Sequence, residues 1–246
     1  PFTWDKPRDR NEAGYYAGRS CMVALPDGLL LVDEDRLAIL DGESGRELRS
    51  IQGPKSGGKI KWLGVEGDYV AVLAGDPDGY KTNTLQQIAT NPFGTELAVY
   101  RISDGTLQWK RSEPAPIDER ELAIFDGQLY AHTRGNWMAC SDLATGEVLW
   151  KNTDPELLEK LGAQRTGPYM SISYRILVAT PEVLYFAAAI RDYRVAMDRA
   201  DGTLLWSEKL GKTRLSLNDV IVGNTLIKHG QQGTVDLKSN EKLEQI

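Results

Sequence analysis

Short apolar phrases alternate with polar turn residues along most of the chain, and this alternation recurs in five segments. In each segment, apolar residues at every second position lead into a short polar turn and out of it again. This pattern predicts two half-buried antiparallel strands joined by a tight turn. Two further strand-like phrases precede each segment, so each repeat predicts about four short strands and the chain an all-β architecture. The five segments are 37–50, 97–110, 138–151, 195–207 and 233–245.

Three positions of the repeat are nearly constant. A glycine stands in the turn of four copies and Asn240 in the fifth, because a tight turn needs a residue with positive φ. An aspartate precedes it by four residues in most copies, where its carboxylate can accept backbone N–H groups. A tryptophan follows it by four residues in three copies and predicts a flat packing contact between repeats. The repeat positions are Asp41, Gly45, Gly105, Trp109, Asp142, Gly146, Trp150, Asp198, Gly202 and Trp206.

The spacing of the repeats predicts a β-propeller. Successive turn residues lie 60, 41, 56 and 38 positions apart, and a four-stranded propeller blade takes roughly 40–45 residues. The two longer intervals predict a blade plus an insertion, which is a polar loop at 76–94 and a short helix at 153–164. The expected blades are approximately 18–53, 54–113, 114–153, 165–211 and 212–246, after a leading segment at 1–17.

The phrases ACSDLATGEVLW (139–150) and VAMDRADGTLLW (195–206) resemble the PQQ-like, or quinoprotein-type, β-propeller repeat with its tryptophan-docking motif. The resemblance runs from residue 37 to about residue 244. It implies four-stranded antiparallel blades in a propeller of about seven or eight blades. The further blades would then lie elsewhere in the same protein or in another chain. The alternative is a closed ring of the five blades, since propellers occur with roughly four to eight blades.

The family that the repeat resembles has a catalytic and a non-catalytic branch. The resemblance implies, for the first, dehydrogenases that bind pyrroloquinoline quinone (PQQ) with calcium. For the second it implies interaction propellers such as the lipoprotein scaffold of the outer-membrane barrel-assembly machinery. Both branches imply a periplasmic or cell-surface location. The adjacent cysteine pair of many quinone sites is missing, because Cys21 and Cys140 stand apart. We therefore expect the non-catalytic branch, no catalytic residue and no cofactor, with PQQ and calcium as an alternative.

Composition and motifs argue against several kinds of partner. The formal net charge is −6 and no run of Lys or Arg occurs, so we expect no nucleic acid. The longest apolar runs are far shorter than the roughly 20 residues of a membrane span. His132 and His229 lack a neighbouring acidic cluster, and the Asp76–Asp78 loop has Gln87 where a calcium loop needs Glu. We expect no metal site.

The expected function is that of a non-catalytic scaffold in an exported bacterial protein, which binds protein partners or further blades through its blade-end loops. One alternative is a fragment or subunit of a quinoprotein-like oxidoreductase whose cofactor site lies elsewhere. Another is a propeller that binds a small ligand. The aromatic residues Trp4, Tyr15 and Tyr16 predict that the leading segment covers a propeller face or a neighbouring chain.

Overall fold

The structure is a computed structural model. It describes residues 22–33, 35–54, 58–75, 93–133, 135–162, 177–187, 192–210, 219–228 and 234–243. The leading segment at 1–17 and nearly all of the insertion at 76–94 lie outside these residues, as do Cys21 and His229. The chain divides into two compact units, the first comprising 1–119 with 142–147 and the second 120–141 with 148–246.

The first unit contains two antiparallel sheets. The first sheet has the order β1-β2-β3-β4, and the second begins with β5-β6-β7-β8. Several strands differ from the half-buried pattern that the sequence predicts, because they are apolar and buried on both faces, with every residue buried in 37–40 and in 70–74. Residues such as Leu30 and Val70 belong to one buried cluster. The strands are β1 (Met22–Leu25), β2 (Gly28–Asp33), β3 (Arg36–Asp41), β4 (Glu47–Gln52), β5 (Ile60–Glu66), β6 (Tyr69–Ala74), β7 (Phe93–Arg101) and β8 (Leu107–Phe125).

Strand β8 differs from the sequence expectation of a blade boundary between 113 and 114, because it runs for 19 residues through that point. Its ladder with β7 shifts register, from Glu96 opposite Ser112 to Gly94 opposite Ile117. The prolines at 114 and 116 fall inside this shift, where the ladder requires no N–H donor. The strand therefore continues past both prolines, and β8 joins the strands before and after it in one seven-stranded sheet.

The second unit contains the remaining strands of the seven-stranded sheet that begins with β5, together with two further sheets and one helix. The end of β8 begins the sheet order β8-β9-β10-β11, and the other two orders are β12-β13-β14-β15 and β16-β17-β18. A single bridge from Val235 to Lys242 extends the last sheet. The elements are β9 (Gln128–Thr133), β10 (Trp137–Asp142), β11 (Val148–Asn152), α1 (Pro155–Gly162), β12 (Leu177–Ala179), β13 (Val183–Phe186), β14 (Tyr193–Asp198), β15 (Leu204–Lys209), β16 (Val220–Val222), β17 (Thr225–Ile227) and β18 (Thr234–Asp236).

Helix α1 lies within the segment 153–164. Its first turn is capped by Asp154, whose Oδ1 accepts the amide of Leu157 at 2.9 Å. The apolar side of the helix buries Leu157 and Leu161 in a cluster with Tyr130 and Phe186. Antiparallel sheets and this one short helix make up the regular structure of the described residues, which confirms the all-β class.

Candidate functional site

The repeat turns have the same backbone geometry in all five copies. The amide of the residue at the glycine position donates to the carbonyl four residues earlier, at 2.8–2.9 Å. That residue has φ between 62° and 75°, a conformation that glycine and asparagine adopt most easily. In the first copy, Oδ1 of Asp41 also accepts the amide of Ser44 at 2.7 Å. The side-chain hydrogen bond from Ser44 and this amide lower the pKa of Asp41.

The second copy has Arg101 where the other four have aspartate, and other carboxylates bind its turn amides. Oδ1 of Asp68 accepts the amide of Ser103 at 2.9 Å. Oδ1 of Asp104 accepts the amide of Thr106 at 2.8 Å. The turn thus keeps its geometry although the aspartate of the repeat is absent. Sequence comparison of the copies missed both carboxylates, because neither occupies the repeat position.

Each of the three repeat tryptophans contacts the turn of the following repeat. The indole Nε1–H donates to the carbonyl of the residue directly after the turn aspartate. The distances are 2.8 Å from Trp109 to Leu143, 3.1 Å from Trp150 to Arg199 and 2.9 Å from Trp206 to Leu237. We call this contact between an outer strand and the next turn a blade joint.

In two blade joints the indole ring also packs directly on the turn glycine. A Cβ atom at Gly146 would lie 2.7 Å from the Trp109 ring, and one at Gly202 would lie 2.4 Å from Cζ3 of Trp150. Both distances are far below the roughly 3.5–4.0 Å of an ordinary carbon contact. Glycine therefore suits this position for two reasons. It adopts positive φ easily, and without a Cβ it leaves room for the indole ring.

The first blade joint uses arginine in place of tryptophan. Nη1 of Arg49 donates to the carbonyl of Ile102 at 2.6 Å, and Ile102 is the residue directly after Arg101 in the turn. A Cβ at Gly105 would lie 3.5 Å or more from its neighbours. This joint is therefore less crowded than the two joints in which an indole ring packs on Gly146 or Gly202. The position of Arg49 in the repeat was visible in the sequence, but its role as a donor was not.

Each blade has two short turns at one end. In four of the blades a backbone hydrogen bond joins the turn between the first two strands to the turn between the last two. We call the end of a blade that carries these two turns its turn end. Strands β6 and β11 end at the opposite end of their blades, which we call the connection end, and residues 76–92 and 153–176 follow these strands in the sequence. The bonds at the turn ends are Gly42 to Asp27 (3.2 Å), Ile102 to Asp68 (2.8 Å), Arg199 to Glu182 (2.9 Å) and Leu237 to Asn224 (2.7 Å).

A charged network lies inside the second unit. Arg194 on β14 is fully buried and binds the carboxylate of Asp219 with two hydrogen bonds, 2.8 Å from Nε and 2.9 Å from Nη2. The hydroxyl of Tyr185 donates to the same carboxylate at 2.7 Å. Burial raises the pKa of Tyr185, and the charge of Asp219 raises it further. Burial alone would lower the pKa of Arg194, but Asp219 raises it above its usual value.

The network continues to the last blade joint through Lys228 on β17. Its Nζ donates to Glu208 Oε2 at 2.6 Å and to Asn240 Oδ1 at 2.5 Å. It also lies 5.3 Å from the centroid of the Trp206 ring, a favourable cation–π distance. The asparagine of the fifth turn thus supplies positive φ and a side-chain acceptor. The arrangement stabilises a contact between strands and offers no nucleophile or metal cluster.

His132 is fully buried on β9 and pairs with an acidic residue that is distant in the sequence. Its Nδ1 lies 2.6 Å from Oε2 of Glu121, which is also fully buried. The imidazole edge packs on Phe186, with ring centroids 5.5 Å apart. Burial drives this pairing, since a buried carboxylate needs a hydrogen-bonding partner. Nothing in the local sequence indicated Glu121.

The described residues contain no cluster of three or more His, Cys, Asp or Glu side chains that could hold a metal ion. Cys140 is buried on β10, and its pairing with Cys21 falls outside the described residues. The same part of the chain has no helix with the length and apolar character of a membrane span.

Comparison with protein families identifies the repeat. A family model described as "Outer membrane protein assembly factor BamB" matches residues 94–239, which is more than half of the chain. The chain belongs to this BamB family. A comparison with curated protein sequences finds no match.

Two solved structures share the fold of this BamB-family chain. BamB from Moraxella catarrhalis superposes with a TM-score of 0.56 at 14% identity, over 91% of this chain and 56% of that one. The quinohemoprotein alcohol dehydrogenase ADHIIG from Pseudomonas putida HK5 gives 0.55 at 13% identity, over 93% and 42%. The β-propeller class and the PQQ-like resemblance are thereby confirmed. The chain spans little more than half of the first neighbour and less than half of the second.

Proposed function

We propose that the chain is a non-catalytic scaffold module of an exported bacterial assembly factor, and that it binds a protein of the outer-membrane assembly machinery. Membership of the BamB family supports this proposal. The observation that carries it is that the polar side chains described above form structural contacts within the fold. The tryptophan indoles, Arg49 and the Arg194 network all take part in contacts between strands and turns. The rigid blades then serve to present loops.

The connection ends of the blades are the favoured binding surface. The turn ends carry short turns whose backbone groups bond one another, and such turns offer little variable surface. Strand β6 instead ends at the connection end, and the 17 residues of 76–92 follow it in the sequence. Loops placed on a rigid scaffold are where binding residues concentrate. A location in the periplasm or at the cell surface follows from this role.

The test is a loop replacement in the full-length protein. Residues 76–92 are replaced by a Gly/Ser linker of equal length, and binding to purified outer-membrane assembly proteins of the source bacterium is measured by calorimetry. We expect binding to be lost while the unfolding midpoint stays unchanged. The matched control is Glu147→Lys at a turn end, where the side chain is exposed, and it should bind normally. Absence of binding by the unaltered protein would contradict the proposal.

The likeness to a quinohemoprotein dehydrogenase favours one alternative, which is a fragment or subunit of a quinoprotein-like oxidoreductase whose cofactor site lies elsewhere. Mass analysis of the natively purified full-length protein for quinone, haem and calcium distinguishes the two functions. The scaffold function predicts that none is present in stoichiometric amount. Stoichiometric quinone would replace the scaffold function with the enzyme.

A further inference from the structure

A histidine and a glutamate form a fully buried pair inside the second unit. His132 lies on β9 and Glu121 on β8, the neighbouring strand of the same sheet. Both side chains are completely inaccessible to solvent, and Nδ1 of His132 lies 2.6 Å from Oε2 of Glu121. A nitrogen and an oxygen atom at this distance have a hydrogen atom between them. The pair is therefore a hydrogen bond between two groups that can each gain or lose a proton.

One side of the pair is apolar. The His132 ring meets Phe186 of the fourth blade edge to face, at an interplanar angle of 83°. Phe186 belongs to the buried cluster that joins the third blade to the fourth blade and to helix α1, with Met138, Leu161 and Val195 among its members. A net charge on the pair would therefore lie beside the contact between β9 and β13.

Titratable side chains on the strands packed around this cluster do not supply a nearby positive charge. Burial raises the pKa of Tyr130, so its hydroxyl is uncharged at neutral pH. Arg199 donates to that hydroxyl, at 3.2 Å, and approaches the cluster from the turn end of the blade. Glu119 is buried two positions before Glu121, and alternate residues of a strand share a face. The titratable side chains are Glu119 on β8, Tyr130 on β9, Cys140 on β10 and Tyr193 on β14.

Charge balance determines how many protons the pair holds. With one titratable proton the pair is neutral overall, either as imidazolium and carboxylate or as imidazole and carboxylic acid. Loss of this proton leaves one net negative charge, and addition of a second proton leaves one net positive charge. Burial disfavours both states, because an uncompensated charge is costly in apolar surroundings. The folded protein should thus keep one proton on the pair over a wide range of pH.

We propose that His132 and Glu121 share one buried proton and thereby act as a pH-sensitive lock between the third and fourth blades. Between about pH 4.3 and pH 6.5 the unfolded chain also holds one proton, on the histidine, and the pair contributes a constant stability. Above about pH 6.5 the unfolded chain has released that proton while the folded pair keeps it, so stability falls as the pH rises. Below about pH 4.3 the unfolded glutamate gains a proton that the folded pair resists, so stability falls again. The lock is strongest in mildly acidic solution, and it does not depend on the scaffold function.

Nuclear magnetic resonance of both side chains counts the protons in the full-length protein. The chain has two histidines, so the imidazole signals of His132 are those that remain in His229→Gln. The ¹⁵N shifts of the ring and the ¹³C shift of the Glu121 carboxyl group are followed from about pH 5.5 to about pH 8. We expect one of the two groups, and only one, to be protonated throughout. The urea-unfolded chain is the control, and its imidazole should titrate near about pH 6.5. A neutral imidazole beside an ionised carboxylate at pH 7 would overturn the proposal.

Glu121→Gln tests the effect of the shared proton on stability. Glutamine keeps the shape of the side chain and a hydrogen-bonding group, but His132 then has no carboxylate with which to share a proton. Unfolding equilibrium constants of the variant and the natural protein are measured in urea from about pH 5 to about pH 8. Their ratio should change about tenfold per pH unit, with the variant relatively less stable at lower pH. The matched control is Glu156→Gln, whose side chain is 73% exposed, and its ratio should stay constant. Parallel pH profiles for Glu121→Gln and the natural protein contradict the lock. If the variant does not fold, the resonance shifts decide alone.

Discussion

Substitution of Gly202 by alanine tests whether the indole contact stabilises the blade joint. Two costs are expected. The first is backbone strain, because Gly202 has φ 73° and an L-residue in this region costs about 1–2 kcal/mol. The second is steric, because the new Cβ would lie 2.4 Å from Cζ3 of Trp150. The ring must move by about 1 Å to reach an ordinary contact distance.

Displacement of the ring sets the size of the second cost. It weakens the 3.1 Å hydrogen bond from Trp150 to Arg199, which contributes about 1 kcal/mol. It also disturbs the contact with Tyr130, whose ring centroid is 6.2 Å away, and this contributes about 0.5–1.5 kcal/mol. Strain from overpacking adds about 1 kcal/mol or more. We expect a steric cost of about 2–4 kcal/mol beyond the backbone strain.

Gly127→Ala is the matched control, because Gly127 has φ 70° and its Cβ would meet nothing within 4 Å. Urea unfolding followed by far-ultraviolet circular dichroism measures both variants without relying on Trp150 fluorescence. In a Trp150→Leu background, the excess loss at Gly202 should disappear, since the obstructing ring is gone. Equal losses for Gly202→Ala and Gly127→Ala in the natural background would refute the reasoning.

Three further substitutions examine the charged groups. Arg194→Met should lower the free energy of unfolding by about 3–5 kcal/mol, because it leaves Asp219 buried without its cation; a double variant with Asp219→Leu should recover most of that loss in urea titrations. Arg49→Ala should cost about 1 kcal/mol through the lost bond to Ile102, and Arg49→Lys, which keeps a donor, should cost less. The amide of Ser239 is the main cause of the lowered pKa of Asp236. This group therefore stabilises the fold above about pH 4 and ceases to do so as the pH falls through the lowered pKa. Unfolding midpoints between pH 5 and about pH 2.5 should fall less for Asp236→Asn than for the natural protein.

The features that follow from local turn chemistry were predictable from the sequence. The turns at Gly45, Gly146 and Gly202 need positive φ and a nearby carboxylate, and both requirements lie within five residues of the chain. The period of the repeat then predicted the blades, because the same four strands recur with each turn. The stabilising role of the tryptophans stays a prediction that the Gly202 and Trp150 variants test.

Features that depend on pairing between distant residues were not predictable. Glu121 and His132 lie on neighbouring strands, and Arg194 meets Asp219 across 25 positions of sequence. No periodic signal links such partners, because each pair is set by how two strands are brought together. The continuity of β8 has a similar cause. Its two prolines indicate a break locally, and only the register shift against β7 shows that the ladder can pass them.

The four described blade joints have a consequence for how a newly made chain finds its fold. Neighbouring repeats of similar sequence can exchange partners during folding, and such misassembly is a known failure of repeat proteins. Here the four joints differ in the side chains that form or surround them. The first joint uses Arg49 in place of tryptophan, and in the second Trp109 packs on Gly146. In the third, the Arg199 guanidinium also donates to Tyr130. In the last, Lys228 donates to Asn240 and lies over the Trp206 ring. The differences between the copies of the repeat therefore favour pairing of each blade with its correct neighbour during folding.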